Sequence, residues 1–182
     1  MMDINTEIAY ETGVHIGDGN MYSYKNRIYR ITYCGNLSNE KEFYLGFVNL
    51  LKRNYQVNPI ITERKKDNTI ILTVNSKKLF EFKKDKLNLP IGKKTEIRIP
   101  ENLMERELLK NVLKGIGDTD FSLSFKKNKK GLYTEPRLEF YTRYSILANQ
   151  VFNILRDLIQ MLHKLYNIDK RFYDKNVWKK KS

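Results

Sequence analysis

Apolar residues recur first at helical spacing and then at alternating spacing along this chain, and this succession of patterns occurs twice. At the start, Ile8, Ala9 and Ile16 fall on one face of a predicted helix. Either Asn5 or Thr6 can cap that helix. The following stretches alternate apolar and polar residues, which is typical of strands with one buried face. The predicted elements of the first half are, in order, a helix at 4–17, a hairpin at 21–33, a helix at 41–53 capped by Ser38, strands at 57–65 and 69–75, and a helix at 77–84.

The same order begins again after a link that contains proline and glycine. The second set of predicted elements is a helix at 100–116, strands at 122–127 and 136–143, and a helix at 146–165. No residues follow that could supply the further strand and helix that close the first half. We therefore predict an α+β fold of two αββαββα-type half-domains related by a pseudo-twofold axis. The first spans 1–100 with the linker, and the second, shortened, spans 101–182.

Each predicted half opens with a helix that ends in a short segment containing glycine and aspartate. The segments are TGVHIGDG at 12–19 and LKGIGDTDF at 113–121. The glycines in the preceding turns would let two such helices pack closely, and the carboxylates at the helix ends would then meet. Paired carboxylates at the negative ends of helices suggest shared divalent metal ions. The alternative is that each aspartate simply caps a turn.

The first segment resembles a motif of the LAGLIDADG homing endonuclease family, in which the third position is a packing glycine and the eighth is a metal-binding acid. The copy at 11–19 agrees at positions three, seven, eight and nine. Glu11 and Thr12 replace the usual Leu and Ala, and Ile16 replaces the acid at position six.

The second segment resembles the same motif. The copy at 113–121 keeps Leu, Gly and an Asp-Thr-Asp trio, and Phe121 stands where the family usually has glycine. The segment GKKTEIRIP at 92–100 is similar to the linker before the second motif in archaeal single-chain members. The resemblance therefore covers most of the chain.

The resemblance implies a saddle-shaped antiparallel β surface that lies along the major groove of double-stranded DNA. It also implies a monomer that hydrolyses phosphodiesters with Mg²⁺ (or Mn²⁺), since metal ions held by carboxylates activate water and stabilise the phosphorane. The residues given a role at the helix ends are the metal ligands Asp18 and Asp120, the added carbonyl ligands Gly17 and Thr119, and the helix-packing Gly13 and Gly115.

Other residues near the motifs allow more than one role. Lys93 and Lys94 are candidates for a catalytic cation near the phosphate, and a solvated basic turn is the alternative. Asp118 suits a capping role better than metal binding, because it lies two positions before Asp120 and points elsewhere on the helix. His15 and Trp178 are expected to be packing or surface residues, as is Phe121.

Polar and aromatic residues of the two predicted hairpins are the candidates for DNA recognition, because such side chains can reach base edges and phosphates. Alternation means that only every second residue of a strand can face the DNA. The candidates are Tyr22, Tyr24, Lys25, Arg27 and Arg30 in the first hairpin, and Ser122, Ser124, Lys126, Lys127, Arg137, Glu139, Tyr141 and Arg143 in the second.

Composition supports a nucleic-acid partner. Lys and Arg number 34 against 21 Asp and Glu, which gives a net charge of +13 and attracts polyanions. A generally basic protein without a specific partner is the alternative. One cysteine and two histidines exclude an internal disulfide and a Cys/His zinc site. The absence of a long apolar run and of a signal peptide predicts no membrane association and a cytoplasmic location.

Three functions remain open. The first is a monomeric, sequence-specific DNA endonuclease that makes a staggered cut. The second is a non-cleaving DNA- or RNA-binding relative, such as an intron maturase that binds intron RNA, or a regulator. The third is an unrelated basic α/β protein with accidental Gly-Asp turns, which would not account for the repeated helix-strand-strand-helix order.

Overall fold

The structure, a computed structural model, describes residues 3–25, 27–127 and 129–166, with the side chains of 133–135 and 159–166 left aside. Trp178 lies outside this part of the chain. The helices are α1 (Thr6–Asp18), α2 (Leu37–Tyr55), α3 (Lys77–Glu81), α4 (Arg106–Asp120) and α5 (Ser145–Tyr166). The strands are β1 (Gly19–Tyr24), β2 (Ile28–Asn36), β3 (Ile60–Arg64), β4 (Thr69–Asn75), β5 (Phe121–Lys127) and β6 (Tyr133–Phe140). The α+β class and the predicted order of elements are confirmed, and the pseudo-twofold axis stays a prediction.

The first half contains an antiparallel four-stranded sheet in the order β1-β2-β4-β3. Alternation gives it one buried face, on which Ile31, Tyr33, Leu72 and Val74 are all at most 1% exposed. Helix α2 contacts β2 and β4, and helix α3 contacts β2. The ring of Phe47 meets that of Tyr33 edge to face at 5.1 Å. The opposite face of the sheet is left to solvent.

Two helix starts differ from the prediction. Helix α2 begins at Leu37, because the Asn36 side chain, rather than Ser38, accepts hydrogen bonds from the backbone N–H groups of Ser38 and Asn39. Helix α4 begins at Arg106 rather than near Pro100. A single 3₁₀ turn, Glu101–Leu103, follows the proline, and the Glu105 side chain then caps α4.

The second half contains α4, α5 and, in the described residues, a two-stranded antiparallel sheet of β5 and β6. The predicted strand at 136–143 included Tyr141 and Arg143, but β6 ends at Phe140, so both residues lie beyond it. Helix α5 packs on the linker, where Gln150 exchanges hydrogen bonds with the backbone of Ile99. The linker is thus part of the core.

A fully buried ion pair joins α1 to the turn after α3. The Lys83 ammonium donates to both carboxylate oxygens of Glu11 at 2.7 and 2.6 Å, and both side chains are 0% exposed. Tyr55 donates to the same carboxylate at 2.7 Å, and Tyr33 also donates to it. Glu11, which replaces the usual Leu of the motif, is therefore stabilised by three hydrogen-bond donors.

No described helix is long and apolar enough to cross a membrane.

Candidate active site

Helices α1 and α4 approach each other backbone to backbone at two glycines. A Cβ added to Gly13 would lie 2.1 Å from the Val112 carbonyl oxygen, and one added to Gly115 would lie 2.1 Å from that of Tyr10. Real Cβ atoms do not come so close to backbone atoms, so only glycine fits at either position. The two predicted helix-packing residues thus lie at the same contact.

This contact brings the C-terminal ends of the two helices together. Asp18 is the last residue of α1 and Asp120 the last residue of α4. A Cβ on Gly17 would be 2.1 Å from the Thr119 hydroxyl oxygen and 3.4 Å from Asp120 Oδ2. The four predicted metal-site residues therefore belong to one small region between the helix ends.

The carboxylates of Asp18 and Asp120 lie where their negative charge is destabilised. Burial, followed by the nearby carboxylates of Glu40 and Asp120, raises the pKa of Asp18 to about 7. Burial also raises the pKa of Asp120, against the effect of the Lys94 ammonium. Helix C-termini add further negative potential. A divalent cation would relieve this repulsion.

The donor set fits a hard cation such as Mg²⁺. Two carboxylates and the adjacent backbone carbonyls are oxygen ligands, and Mg²⁺ completes its octahedron with water and phosphate oxygens. Among the described residues, no group of three or more His, Cys, Asp or Glu side chains is placed so that it could hold a metal ion.

The two candidate lysines have different positions. Lys93 is exposed. Lys94 is directed at the end of α1, where its ammonium donates to the carbonyl oxygens of His15, Ile16 and Gly17. The turn before it depends on Gly92, whose φ of +76° favours glycine and whose N–H donates to the Met21 carbonyl at 2.7 Å.

Nearby motif residues have partners within the fold. His15 is buried, its Nδ1 lies 3.4 Å from the Tyr33 hydroxyl, and burial holds the pKa of its imidazole well below 6.5. Asp118 accepts a hydrogen bond from the Tyr10 hydroxyl at 2.7 Å. The ring of Phe121 packs edge to face on that of Phe140.

Sequence reasoning missed two residues beside Asp18. Glu40 is close enough to raise the pKa of Asp18, and the Tyr44 hydroxyl donates to Asp18 Oδ2 at 3.5 Å. Both lie on α2, and no local pattern in that helix marks them, because their proximity to Asp18 is a product of tertiary packing.

The raised pKa of Asp18 gives a testable dependence of stability on pH. Between pH 3.8 and about 7 the folded protein retains a proton that the unfolded chain has lost. The free energy of unfolding therefore falls as the pH rises through that window. We expect wild type to lose stability relative to Asp18→Asn from pH 5 to pH 8, measured by urea unfolding in chelator.

The comparison with Asp18→Asn is needed because His15 acts in the opposite direction below pH 6.5. Its folded pKa is lowered, so the stability of the protein rises with pH up to that value. This contribution is common to both proteins and cancels. A difference in stability that stays constant across the range would contradict a raised pKa at Asp18.

The solvent face of the first sheet contains several of the predicted DNA-binding residues. Tyr22, Tyr24 and Arg30 are exposed on this face, and Tyr22 is paired with Arg30 across β1 and β2. Lys25 and Arg27 are exposed at the hairpin turn. A groove of about 280 Å³ continues this face onto β3 and β4, and it is lined by Arg30, Thr32, Cys34, Thr62, Arg64, Ile71 and Thr73.

The β3–β4 residues of this groove were missed because only the two hairpins next to the motifs were considered. The alternation of apolar residues at 70, 72 and 74 could have identified them. Arg64 is the basic residue that they add to the face, opposite Thr69 across β3 and β4.

The second hairpin separates its residues by face. The pairs Ser122 with Glu139 and Ser124 with Arg137 lie on the polar face, as does Lys126. Leu123 and Leu138 oppose each other on the other face and are 65% and 54% exposed. The remaining predicted residues lie elsewhere: Lys127 follows a register shift at the end of β5, and Tyr141 and Arg143 follow β6.

Comparisons with known proteins give partial structural likenesses. No family model and no curated protein matches the chain. Mesophilic variants of the homing endonuclease I-DmoI match with 22% identity and a TM-score of 0.47, over 64% of this chain and 58% of theirs. I-DmoI in complex with DNA and Ca matches with 23% identity and a TM-score of 0.48, over 64% of this chain and 58% of that chain. I-DmoI in complex with DNA and Mn matches with 25% identity and a TM-score of 0.48, over 69% and 71%. In the first two cases the match spans less than two thirds of the solved chain.

Proposed function

We propose that this chain is a metal-dependent, sequence-specific DNA endonuclease of the LAGLIDADG type. The observation that carries the proposal is the placement of Asp18 and Asp120 at the ends of two helices in backbone contact, beside Gly17 and Thr119. Two repelling carboxylates that share so small a region are expected where cations bind. Both come from one chain, so a monomer can form the complete site. The expected cytoplasmic location stays a prediction.

In the proposed mechanism the helix ends hold the reacting groups. Asp18 and Asp120 offer carboxylate oxygens, and Gly17 and Thr119 offer carbonyl oxygens, to Mg²⁺ or Mn²⁺. Such ions lower the pKa of bound water and neutralise charge on the phosphate. The rigid α1–α4 contact fixes the spacing of the two carboxylates, and the sheet positions the DNA backbone across them.

The solvent face of the first sheet is the proposed DNA surface, and its arginines provide a test. Replacing Arg30 or Arg64 with alanine should weaken binding of a target duplex, selected from a randomised library by its binding to wild type, by about 1–3 kcal/mol each. The reason is that arginine contacts bases and phosphates directly. Fluorescence anisotropy at fixed salt measures this.

The matched control is Lys52→Ala, which removes the same charge from an exposed position on α2, the helix that covers the opposite face of the sheet. Its effect should be small. If Arg30→Ala and Arg64→Ala bind no more weakly than Lys52→Ala, the sheet face is not the DNA surface. Binding by wild type should also weaken as salt rises, through counterion release.

The cleavage itself is tested with a randomised duplex library. Purified protein is incubated with the library in Mg²⁺ and in chelator, and the new ends are sequenced. Magnesium-dependent cuts at one long, partly symmetric site are the expected result. No cuts in Mg²⁺ or Mn²⁺, with sequences still enriched by binding, would contradict the endonuclease.

A non-cleaving DNA- or RNA-binding protein is the second candidate function. The observation that favours it is the two-stranded sheet of the second half in the described residues, against four strands in the first. A second half with fewer strands would contact its side of a target site over a smaller surface and bind that side more weakly. Enrichment of duplex or of structured intron RNA without cleavage is the outcome that this candidate predicts.

A further inference from the structure

The Lys94 ammonium occupies a set of backbone oxygens suited to a cation. Its Nζ lies 3.1 Å from the carbonyl oxygen of His15, 2.8 Å from that of Ile16 and 2.8 Å from that of Gly17. An ammonium group has three N–H donors, and here all three have an acceptor. Lys94 is half-buried, so these bonds are partly shielded from water.

These oxygens lie at the negative end of α1. The last carbonyls of a helix have no partner within the helix and attract cations. Burial lowers the pKa of Lys94 to about 8, and the carboxylates of Asp120 and Asp18 act in the opposite direction. The oxygens and the two carboxylates together form a site that already holds one positive charge.

The same place borders the proposed metal site. The Gly17 carbonyl and Asp120 are both proposed ligands, and Asp120 Oδ2 would lie 3.4 Å from a Cβ on Gly17. The Gly17 carbonyl is also an acceptor for Lys94. A divalent ion and an ammonium group so close together repel strongly in a partly buried site.

The end of α4 is capped differently. The hydroxyl of Thr119 donates to the carbonyls of Gly115 and Ile116, at 3.3 and 3.0 Å. This cap is neutral, whereas the ammonium group on the carbonyls of α1 carries a positive charge. The two ends of the site are therefore unequal.

We propose that Lys94 is a resident cation at the Asp120–Gly17 position, and that a divalent metal binds there only by displacing it. This inference rests on the proposed function, because it assumes that Asp120 and Gly17 are metal ligands. It assigns to Lys94 a role in setting the metal affinity of this side of the site.

The test is Mn²⁺ binding to the intact protein without DNA, followed by calorimetry and by the electron paramagnetic resonance of free Mn²⁺. Replacing Lys94 with methionine removes the competing charge, so the variant should bind Mn²⁺ roughly tenfold more tightly than wild type does. Lys94→Arg keeps the charge and should bind as wild type does. Lys52→Met removes the same charge from an exposed position on α2 and should change the affinity by no more than about twofold.

A purely structural Lys94 gives the opposite result. If the lysine only holds the end of α1 together, Lys94→Met loosens that end and binds Mn²⁺ more weakly than wild type, or equally. Either result overturns the inference, as does tighter binding by Lys94→Arg. If Lys94→Met does not fold by circular dichroism, Lys94→Gln serves in its place, because its neutral amide still donates hydrogen bonds to the carbonyls.

Failure of the proposed function looks different. In that case Asp18→Asn and Asp120→Asn bind Mn²⁺ as well as wild type does, whatever the Lys94 variants do. An absence of Mn²⁺ binding by every protein overturns both proposals. If the aspartate variants bind Mn²⁺ more weakly than wild type and Lys94→Met binds it no more tightly, the proposed metal site is supported. Only the displacement of Lys94 by the metal is then contradicted.

Discussion

Replacing Lys83 with methionine is expected to lower the free energy of unfolding by about 3–5 kcal/mol, because it leaves the buried Glu11 carboxylate without its ion-pair partner. Both side chains are 0% exposed, and two hydrogen bonds of 2.7 and 2.6 Å join them. Methionine fills a similar volume, so a cavity contributes little. The lost charge is then the main cause, and urea unfolding at neutral pH measures it.

Two further variants isolate that cause. Lys84→Met removes the neighbouring lysine, which is 53% exposed and pairs with Asp85 on the surface. It should change stability by less than about 1 kcal/mol. In the double variant Glu11→Gln with Lys83→Met both charges are gone while the amide can still hydrogen-bond to the hydroxyls of Tyr55 and Tyr33, so much of the lost stability should return. If the double variant is as unstable as Lys83→Met alone, the uncompensated charge is not the cause.

Replacing Gly13 with alanine should destabilise the protein by about 1–3 kcal/mol or more, because the added methyl group has no space. It would lie 2.1 Å from the Val112 carbonyl oxygen and 2.9 Å from the Gly115 Cα, and both are backbone atoms that cannot rotate away. The helices must then separate. Since Asp18 and Asp120 are the last residues of these helices, metal affinity should fall together with stability.

Gly46 provides the matched control. It lies within α2, is exposed, and an added Cβ would meet nothing within 4 Å. Alanine is a better helix former than glycine by about 1 kcal/mol, so Gly46→Ala should stabilise the protein. Opposite signs for the two substitutions in thermal unfolding are the expected result. Stabilisation by Gly13→Ala would contradict close contact between α1 and α4.

The order of elements could be predicted from local patterns because those patterns have local causes. Alternation at 69–75 follows directly from a sheet with one buried face. The predicted start of α2 was wrong because Asn36 and Ser38 are both residue types that cap helices well. The choice between them depends on β2, whose last residue is Asn36 in extended backbone. The end of β6 was also predicted wrongly, because Tyr141 and Arg143 continue the strand-like composition beyond Phe140.

The candidate site could be predicted only in part. Gly13 and Gly115 could be proposed as contacts because a repeated motif placed them at equal positions in two helices. No such repeat distinguishes Lys94 from Lys93, and the difference between them comes from the turn at Gly92. Glu40 and Lys83 lie far in sequence from the residues that they affect, Asp18 and Glu11. Pairings of this kind are set by tertiary packing and leave no local signal.

The most direct test of the proposed endonuclease is the rate at which wild type, Asp18→Asn and Asp120→Asn cut the selected duplex in Mg²⁺. Asparagine keeps the size of the side chain and removes the charge that would hold the metal. Each variant should cut more slowly by a factor on the order of 10³ or more, while its DNA affinity stays within a few-fold of wild type. Cleavage by both variants at the wild-type rate would contradict the assignment of Asp18 and Asp120 as the metal-binding carboxylates.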